Sequence, residues 1–162
     1  MKAHFQCIKG CETYSLNEVV YQCKKCGSLL EVVHDMNSLK QKSGSEWKKL
    51  FQDRKTNPDF SDQSGIWNKR EWVNPMMDKN YIVTLGEGNN PLTPIPAAAK
   101  ELGMKNIWIK HCGNTHTGSF KDLGMTVLVS MVNQMIHKEK QKIKAVACAS
   151  TGDTSAALSA YG

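Results

Sequence analysis

The feature that most constrains this chain is a run of alternating short apolar and helical segments between residues 106 and 161. Asn106-Ile-Trp-Ile-Lys110 predicts a strand, and a polar loop from His111 to Gly118 follows. Ser119 to His137 predicts a long helix, whose apolar positions (Phe120, Leu123, Val127, Leu128, Met131, Val132, Met135, Ile136) nearly encircle it. Such a helix is expected to be buried. Its methionines fall at helical spacing and predict core packing. Ile143-Lys-Ala-Val-Ala-Cys148 predicts a second strand, and Thr154 to Tyr161 a second helix. Strand, helix, strand, helix at these lengths implies a right-handed crossover and a parallel sheet covered on both faces. The expected fold class is therefore α/β.

Two loops in this region carry chemistry. In Thr117-Gly-Ser-Phe-Lys-Asp122, Ser119 followed by Asp122 reads as a short capping box that starts the helix at Ser119. Lys121 then lies in the first turn, where the helix dipole disfavours an ammonium and lowers its pKa. An amine that sheds its proton readily suits Schiff-base chemistry. A solvated lysine at a helix start is the plain alternative. The second loop, Ala149-Ser-Thr-Gly-Asp-Thr154, joins the second strand to the second helix, at the strand end where α/β folds bind ligands. Ser150, Thr151 and Thr154 offer hydroxyls, Gly152 permits close approach, and the helix start offers N–H groups, a set that suits a carboxylate. An ordinary helix-capping loop has the same composition.

The first 80 residues differ in character. Cysteines occur in two close pairs, Cys7/Cys11 and Cys23/Cys26, with eleven residues between the pairs. Two β-like runs, Glu18–Cys23 and Leu29–Val33, flank the turn Lys24–Ser28. With no secretory signal at the N-terminus, metal binding or free thiols are expected rather than disulfides. Two knuckles around a hairpin resemble a zinc ribbon, in which Cys7, Cys11, Cys23 and Cys26 would bind one structural zinc. Reduced thiols in a ribbon that folds by packing are the other reading. Cys112 and Cys148 stand singly. Residues 37–80 predict a polar arm, with Trp47, Leu50 and Phe51 on one face of a helix over 45–54 and a loop over 56–65. Pro96–Leu102 predicts a short helix stopped by Gly103. The chain thus divides into 1–36, 37–80 and 81–162.

Composition excludes several classes. Charged residues make up 22% and hydrophobic residues 40% of the 162 residues, as in globular proteins. No apolar run is long enough to cross a bilayer, so no membrane partner is expected, and the cytoplasm is the expected location. The net charge of +6 is scattered, and the densest basic stretch, Lys138 to Lys144, includes Glu139. A nucleic-acid footprint needs clustered basic residues, so no nucleic-acid partner is expected.

The string Thr117-Gly-Ser-Phe-Lys-Asp122 resembles the cofactor-lysine motif of the fold-type II pyridoxal-phosphate enzymes, the tryptophan synthase β-like family. Gly86-Glu-Gly-Asn-Asn-Pro-Leu92 is similar to an element upstream of it in that family. The longer strings Lys110–Met125 and Cys148–Tyr161, with Tyr14–Tyr21, His34–Met36 and Trp67–Trp72, resemble the plant-type threonine synthases over nearly the whole chain. His116, Leu123 and Asp153 depart from the broad fold-type II pattern but agree with that subgroup. The resemblance implies an incomplete fold-type II sheet preceded by a zinc-ribbon-like segment, and pyridoxal 5'-phosphate held by Lys121. It implies Asp153 facing the cofactor ring oxygen, and Ser150, Thr151 and Thr154 on the substrate carboxylate. It also implies a lyase acting on O-phospho-L-homoserine and forming a homodimer at full length. Its glycine-rich phosphate loop would lie beyond residue 162, so the chain reads as an N-terminal fragment, inactive alone. A serine/threonine dehydratase, or a non-catalytic zinc-ribbon module, are the alternatives.

Overall fold

The computed structural model describes residues 2–162. Strands β1 (Ala3–Cys7), β2 (Thr13–Ser15) and β3 (Leu30–His34) form an antiparallel sheet in the order β2-β1-β3. His4 pairs with Ser15 on one side and Val33 on the other. The run Glu18–Cys23, expected to be β-like, is irregular. It has no neighbour to ladder with, because Thr13–Ser15 and Leu30–His34 already occupy both edges of β1.

The arm is more ordered than its polarity suggests. After the short α1 (Met36–Leu39), α2 (Gly44–Lys55) begins at a full capping box between Ser43 and Glu46. Trp47 and Phe51 are buried, and both pack against Trp72, with ring centroids 5.6 and 5.0 Å away. Aromatic pairs at such distances add to the burial energy. Arg54 binds Glu71 through two hydrogen bonds of 2.7 and 2.5 Å and also donates to the Asn68 carbonyl at 2.6 Å. The expected loop 56–65 contains a short helix, α3 (Phe60–Gln63), started by the Asp59 side chain. A 3₁₀ turn (Trp67–Lys69) and α4 (Arg70–Val73) follow.

In the last third, β4 (Leu92–Pro94) pairs antiparallel with β5 (Trp108–Lys110), and α5 (Pro96–Glu101) lies between them. Gly103 has φ +64° and stops α5 as expected. The helices α6 (Asp122–His137) and α7 (Asp153–Tyr161) pack on each other. The expected parallel sheet does not form: among the described residues both sheets are antiparallel. Residues 143–148 carry no ladder, since a strand exists only beside a partner.

The burial of α6 also departs from expectation. Its fully buried side chains include Asp122, Thr126 and Ser130, with Gln134 nearly so, while Leu128 is 37% exposed. These polar residues recur every four positions and form one seam. Trp67 Nε1 donates to Thr126 Oγ1 at 2.8 Å, and Thr126 Oγ1 donates to the Val83 carbonyl at 2.7 Å. The Val83 N–H donates to Ser130 Oγ at 2.8 Å, and the Asp78 N–H to Gln134 Oε1 at 2.8 Å. The segment 78–83 therefore lies along α6 and satisfies its backbone with side chains in place of a strand partner. The apolar side of α6 faces open grooves lined by Val19, Val20 and Ile143 among others.

Gly65 and Gly88 cross at backbone contact. A Cβ on Gly65 would stand 2.1 Å from the Asn89 nitrogen, and one on Gly88 would stand 2.7 Å from the Gly65 Cα. The crossing is tied by a 2.7 Å bond from the Gly65 N–H to the Glu87 carbonyl.

Candidate active site and cysteine cluster

Lys121 precedes the first residue of α6 with φ −60° and ψ −28°. The helix begins at Asp122 rather than at Ser119, and the Asp122 carboxylate binds Thr117 rather than the Ser119 N–H that a capping box would use. Its carboxylate accepts from the Thr117 N–H at 2.8 Å and the Thr117 hydroxyl at 2.5 Å. Gly118, at φ +77°, makes the bend that brings Thr117 over Asp122. The lysine is thus presented on a turn clamped at its base by a wholly buried carboxylate. The side chain is half-buried, with Nζ 4.0 Å from the centroid of the exposed Phe120 ring.

The second loop meets this turn directly. Ser119 Oγ donates to Asp153 Oδ2 at 2.8 Å, and the Lys121 N–H donates to Ser119 Oγ at 3.3 Å. Ser119 is therefore the bridge between the lysine turn and α7, a part that sequence reading assigned only to helix capping. Ser150 and Thr151 are exposed and Thr154 is half-buried. Ser150 Oγ accepts from the Gly152 N–H at 3.1 Å. No side chain caps α7, so its leading N–H groups stay available to an anion. Lys121 stands at the start of α6 and Ser150, Thr151, Asp153 and Thr154 at the start of α7, with no parallel sheet edge between them and with Ser119–Asp153 as the bond that joins the two loops.

At the far end of α7 lies a cluster that sequence reading missed. Glu87 is 2% exposed. Its carboxylate accepts from Ser64 Oγ at 2.5 Å, Thr84 Oγ1 at 2.9 Å, the Leu85 N–H at 3.0 Å and the Tyr161 hydroxyl at 2.9 Å. Burial, then the Glu87 charge, push the Tyr161 hydroxyl well above the usual phenol range, so it stays a proton donor. The only sequence signal was the acid inside the glycine-rich string 86–92.

The four paired cysteines come together. Their Sγ atoms all lie within 4.8 Å of one another, with Cys7–Cys26 at 3.5 Å and Cys11–Cys26 at 3.4 Å. Gly10 and Gly27, at φ +70° and +69°, close the two knuckles in the same way, each donating its N–H to Cys7 or Cys23. Tetrahedral zinc with sulfur at about 2.3 Å needs thiols about 3.8 Å apart, so this donor set fits the metal with little movement. The thiols already divide the proton load. Hydrogen bonding to Cys26 pushes Cys11 up to about 12, while hydrogen bonds from Ser28 bring Cys26 down to about 6. The Tyr14 hydroxyl also donates to Cys23 at 3.6 Å. All six cysteines are free thiols, Cys112 and Cys148 among them.

Residues 83–162 match the sequence model of the family described as pyridoxal-phosphate dependent enzyme. Threonine synthase 2, chloroplastic, of Arabidopsis thaliana is 50% identical over 151 residues, covering 93% of this chain and 29% of that protein. Threonine synthase of Methanocaldococcus jannaschii is 41% identical over 156 residues, 96% of this chain and 34% of the relative. The threonine synthase of Methanosarcina acetivorans is 37% identical over 159 residues, again 34% of its length. The chain spans about a third of the length of the curated relatives it matches. With the lysine turn and the hydroxyl loop joined through Ser119 inside the matched stretch, residues 83–162 belong to the pyridoxal-phosphate dependent enzymes.

Proposed function

We propose that the protein containing this chain is a threonine synthase, a lyase that converts O-phospho-L-homoserine and water into L-threonine and phosphate. The observation that carries the reading is the 2.8 Å bond from Ser119 to Asp153, which sets the lysine turn against the hydroxyl loop. The residues present fit the aldehyde end of pyridoxal phosphate: a half-exposed amine, an acid held in place beside it, and an uncapped helix start. When bound, that cofactor supplies an electron sink for the substrate's carbon acid.

Each residue of the chain then has a task. Lys121 would hold the cofactor through Nζ and would carry protons to and from the substrate carbons. The Thr117–Asp122 clamp holds the backbone of Lys121 still while its side chain swings. Ser150, Thr151 and Thr154, with the leading N–H groups of α7, hold the substrate carboxylate. Asp153, oriented by Ser119, would hold the ring of the cofactor. The threonine synthases among the relatives favour this substrate over those of the dehydratases. Cys7, Cys11, Cys23 and Cys26 hold one structural zinc in a ribbon formed by the first 36 residues. The arm 37–80 joins that ribbon to the catalytic part that starts at 81. A fold-type II parallel sheet completed by further chain, a homodimer and a cytoplasmic location belong to the same reading. No helix in the structure is long and apolar enough to cross a membrane.

The test is borohydride trapping in the natural-length protein, followed by peptide mapping and assay with O-phospho-L-homoserine and with L-serine. Label on Lys121, with threonine formed from the phosphorylated substrate, is expected. Label on another lysine overturns the site. Ketoacid release from serine without threonine formation overturns the reaction.

A further inference from the structure

Glu87 is a puzzle in this fold. It is a carboxylate with almost no exposure, and among the described residues no cation pairs with it. Burying such a group is costly unless donors surround it. Four donors do, and they come from three separate parts of the chain: Ser64 from the arm, Thr84 and Leu85 from the adjoining loop, and Tyr161 from the far end of α7. The Tyr161 bond spans 74 residues of sequence.

The placement of Tyr161 matters because of what the other end of α7 does. Asp153 opens the helix and is tied to Ser119 beside Lys121. Tyr161 closes it and is 3% exposed. Between them only Ala157 is fully buried, a small residue that fixes neither the rotation nor the slide of α7 on α6. Nonspecific apolar packing leaves such a helix loosely set, whereas two directional bonds, one at each end, define its register.

We infer that Glu87 is a positioning residue: by gripping the Tyr161 hydroxyl it sets the register of α7, and so places Ser150–Thr154 relative to Lys121. The inference rests on the functional reading only in what that loop binds. The grip itself is a property of the fold.

The experiment compares four variants in the natural-length protein by amide hydrogen exchange without substrate, melting temperature and steady-state kinetics. Tyr161→Phe deletes one hydroxyl and should speed exchange at residues 150–154 by about tenfold, the worth of one buried hydrogen bond. Ser64→Ala removes a donor to the same carboxylate on the arm side and should lower the melting temperature comparably, with exchange at 150–154 within about twofold of the parent. Glu87→Gln keeps an oxygen for Tyr161 and should restore slow exchange at 150–154, while Glu87→Ala should not. In turnover, Tyr161→Phe should raise KM about five- to tenfold with kcat within about twofold, the pattern of lost substrate placement. Equal effects of Tyr161→Phe and Ser64→Ala on residues 150–154, or none from either, would overturn the inference. Altered exchange with an unchanged KM would keep Glu87 as the positioning residue and instead remove the carboxylate role of the loop.

Discussion

Residues 3–34 and residues 78–161 solve the same problem, too little apolar core, by different means. In the first region the sheet is small, and four thiols from two knuckles meet within 4.8 Å at its end. The sheet and the thiol cluster are built from residues within about thirty positions of one another, with outside bonds at Asn17 and His34 only. In the second region a helix is held by a polar seam, with Thr126, Ser130 and Gln134 binding the backbone of residues 78–83 some 43 to 56 positions away. On the proposed zinc reading the first region depends on something added to the chain, whereas the second depends on bonds the chain makes with itself. A metal-dependent unit should fail all at once, and a hydrogen-bonded seam by increments.

The largest expected effect comes from removing the metal. A structural zinc is worth on the order of 10 kcal/mol in small zinc-binding units. Chelation, or Cys23→Ser, should therefore melt the β2-β1-β3 sheet while α6 keeps its helical signal, measured by residue-resolved exchange. A sheet that persists without metal would mean that packing alone holds it, and would erase the contrast. Next in size is Lys121→Ala. Turnover should drop at least about a thousandfold, with zinc remaining at about one per chain by metal analysis. Loss of zinc in that variant would show the two regions to be coupled.

Thr126→Val should cost about 1–3 kcal/mol by chemical denaturation, because it orphans the Trp67 indole N–H and leaves the Val83 carbonyl only the 3.3 Å bond from Ser130. A cost below about 0.5 kcal/mol would mean that the seam contributes little. The smallest effect is electrostatic. The hydrogen bond from Lys79, above all, lowers Asp59 to about 2. A depressed carboxyl stabilises the fold above its unfolded value near 4, and that contribution is lost as pH falls from about 4 to about 2. Asp59→Asn should therefore differ from the parent above pH 4 and converge with it toward pH 2. The difference should be slight, since Asp59 is exposed.

The legible parts of the sequence were those written locally. The helix expected over 45–54 and Gly103 as a helix stop each rest on a few neighbouring residues, and the structure has both. The motif around Lys121 was legible too, but its helix begins three residues late, because Asp122 binds Thr117 in preference to capping from within. β4 was missed because prolines at 91 and 94 argue against a strand, and it survives only as an edge. The seam was missed because hydrophobic periodicity assigns polar residues to solvent. The clue was present in the four-residue spacing of Asp122, Thr126, Ser130 and Gln134. Glu87 and Tyr161 had no local signal that they meet, because their bond exists only once α7 has docked.

The crossing of Gly65 and Gly88 constrains how this protein can be recombined with its relatives. Neither position has room for a side chain unless the other strand of backbone moves, so the two glycines form a single hereditary unit. A chimera whose junction falls between residues 65 and 88 draws one glycine from each parent, and it closes the crossing only when both parents carry glycine at their own position. Junctions placed before 65 or after 88 keep the pair from one parent. A library built by random crossover should therefore lose folded members in that interval whenever the parents differ at either site, however similar they are elsewhere.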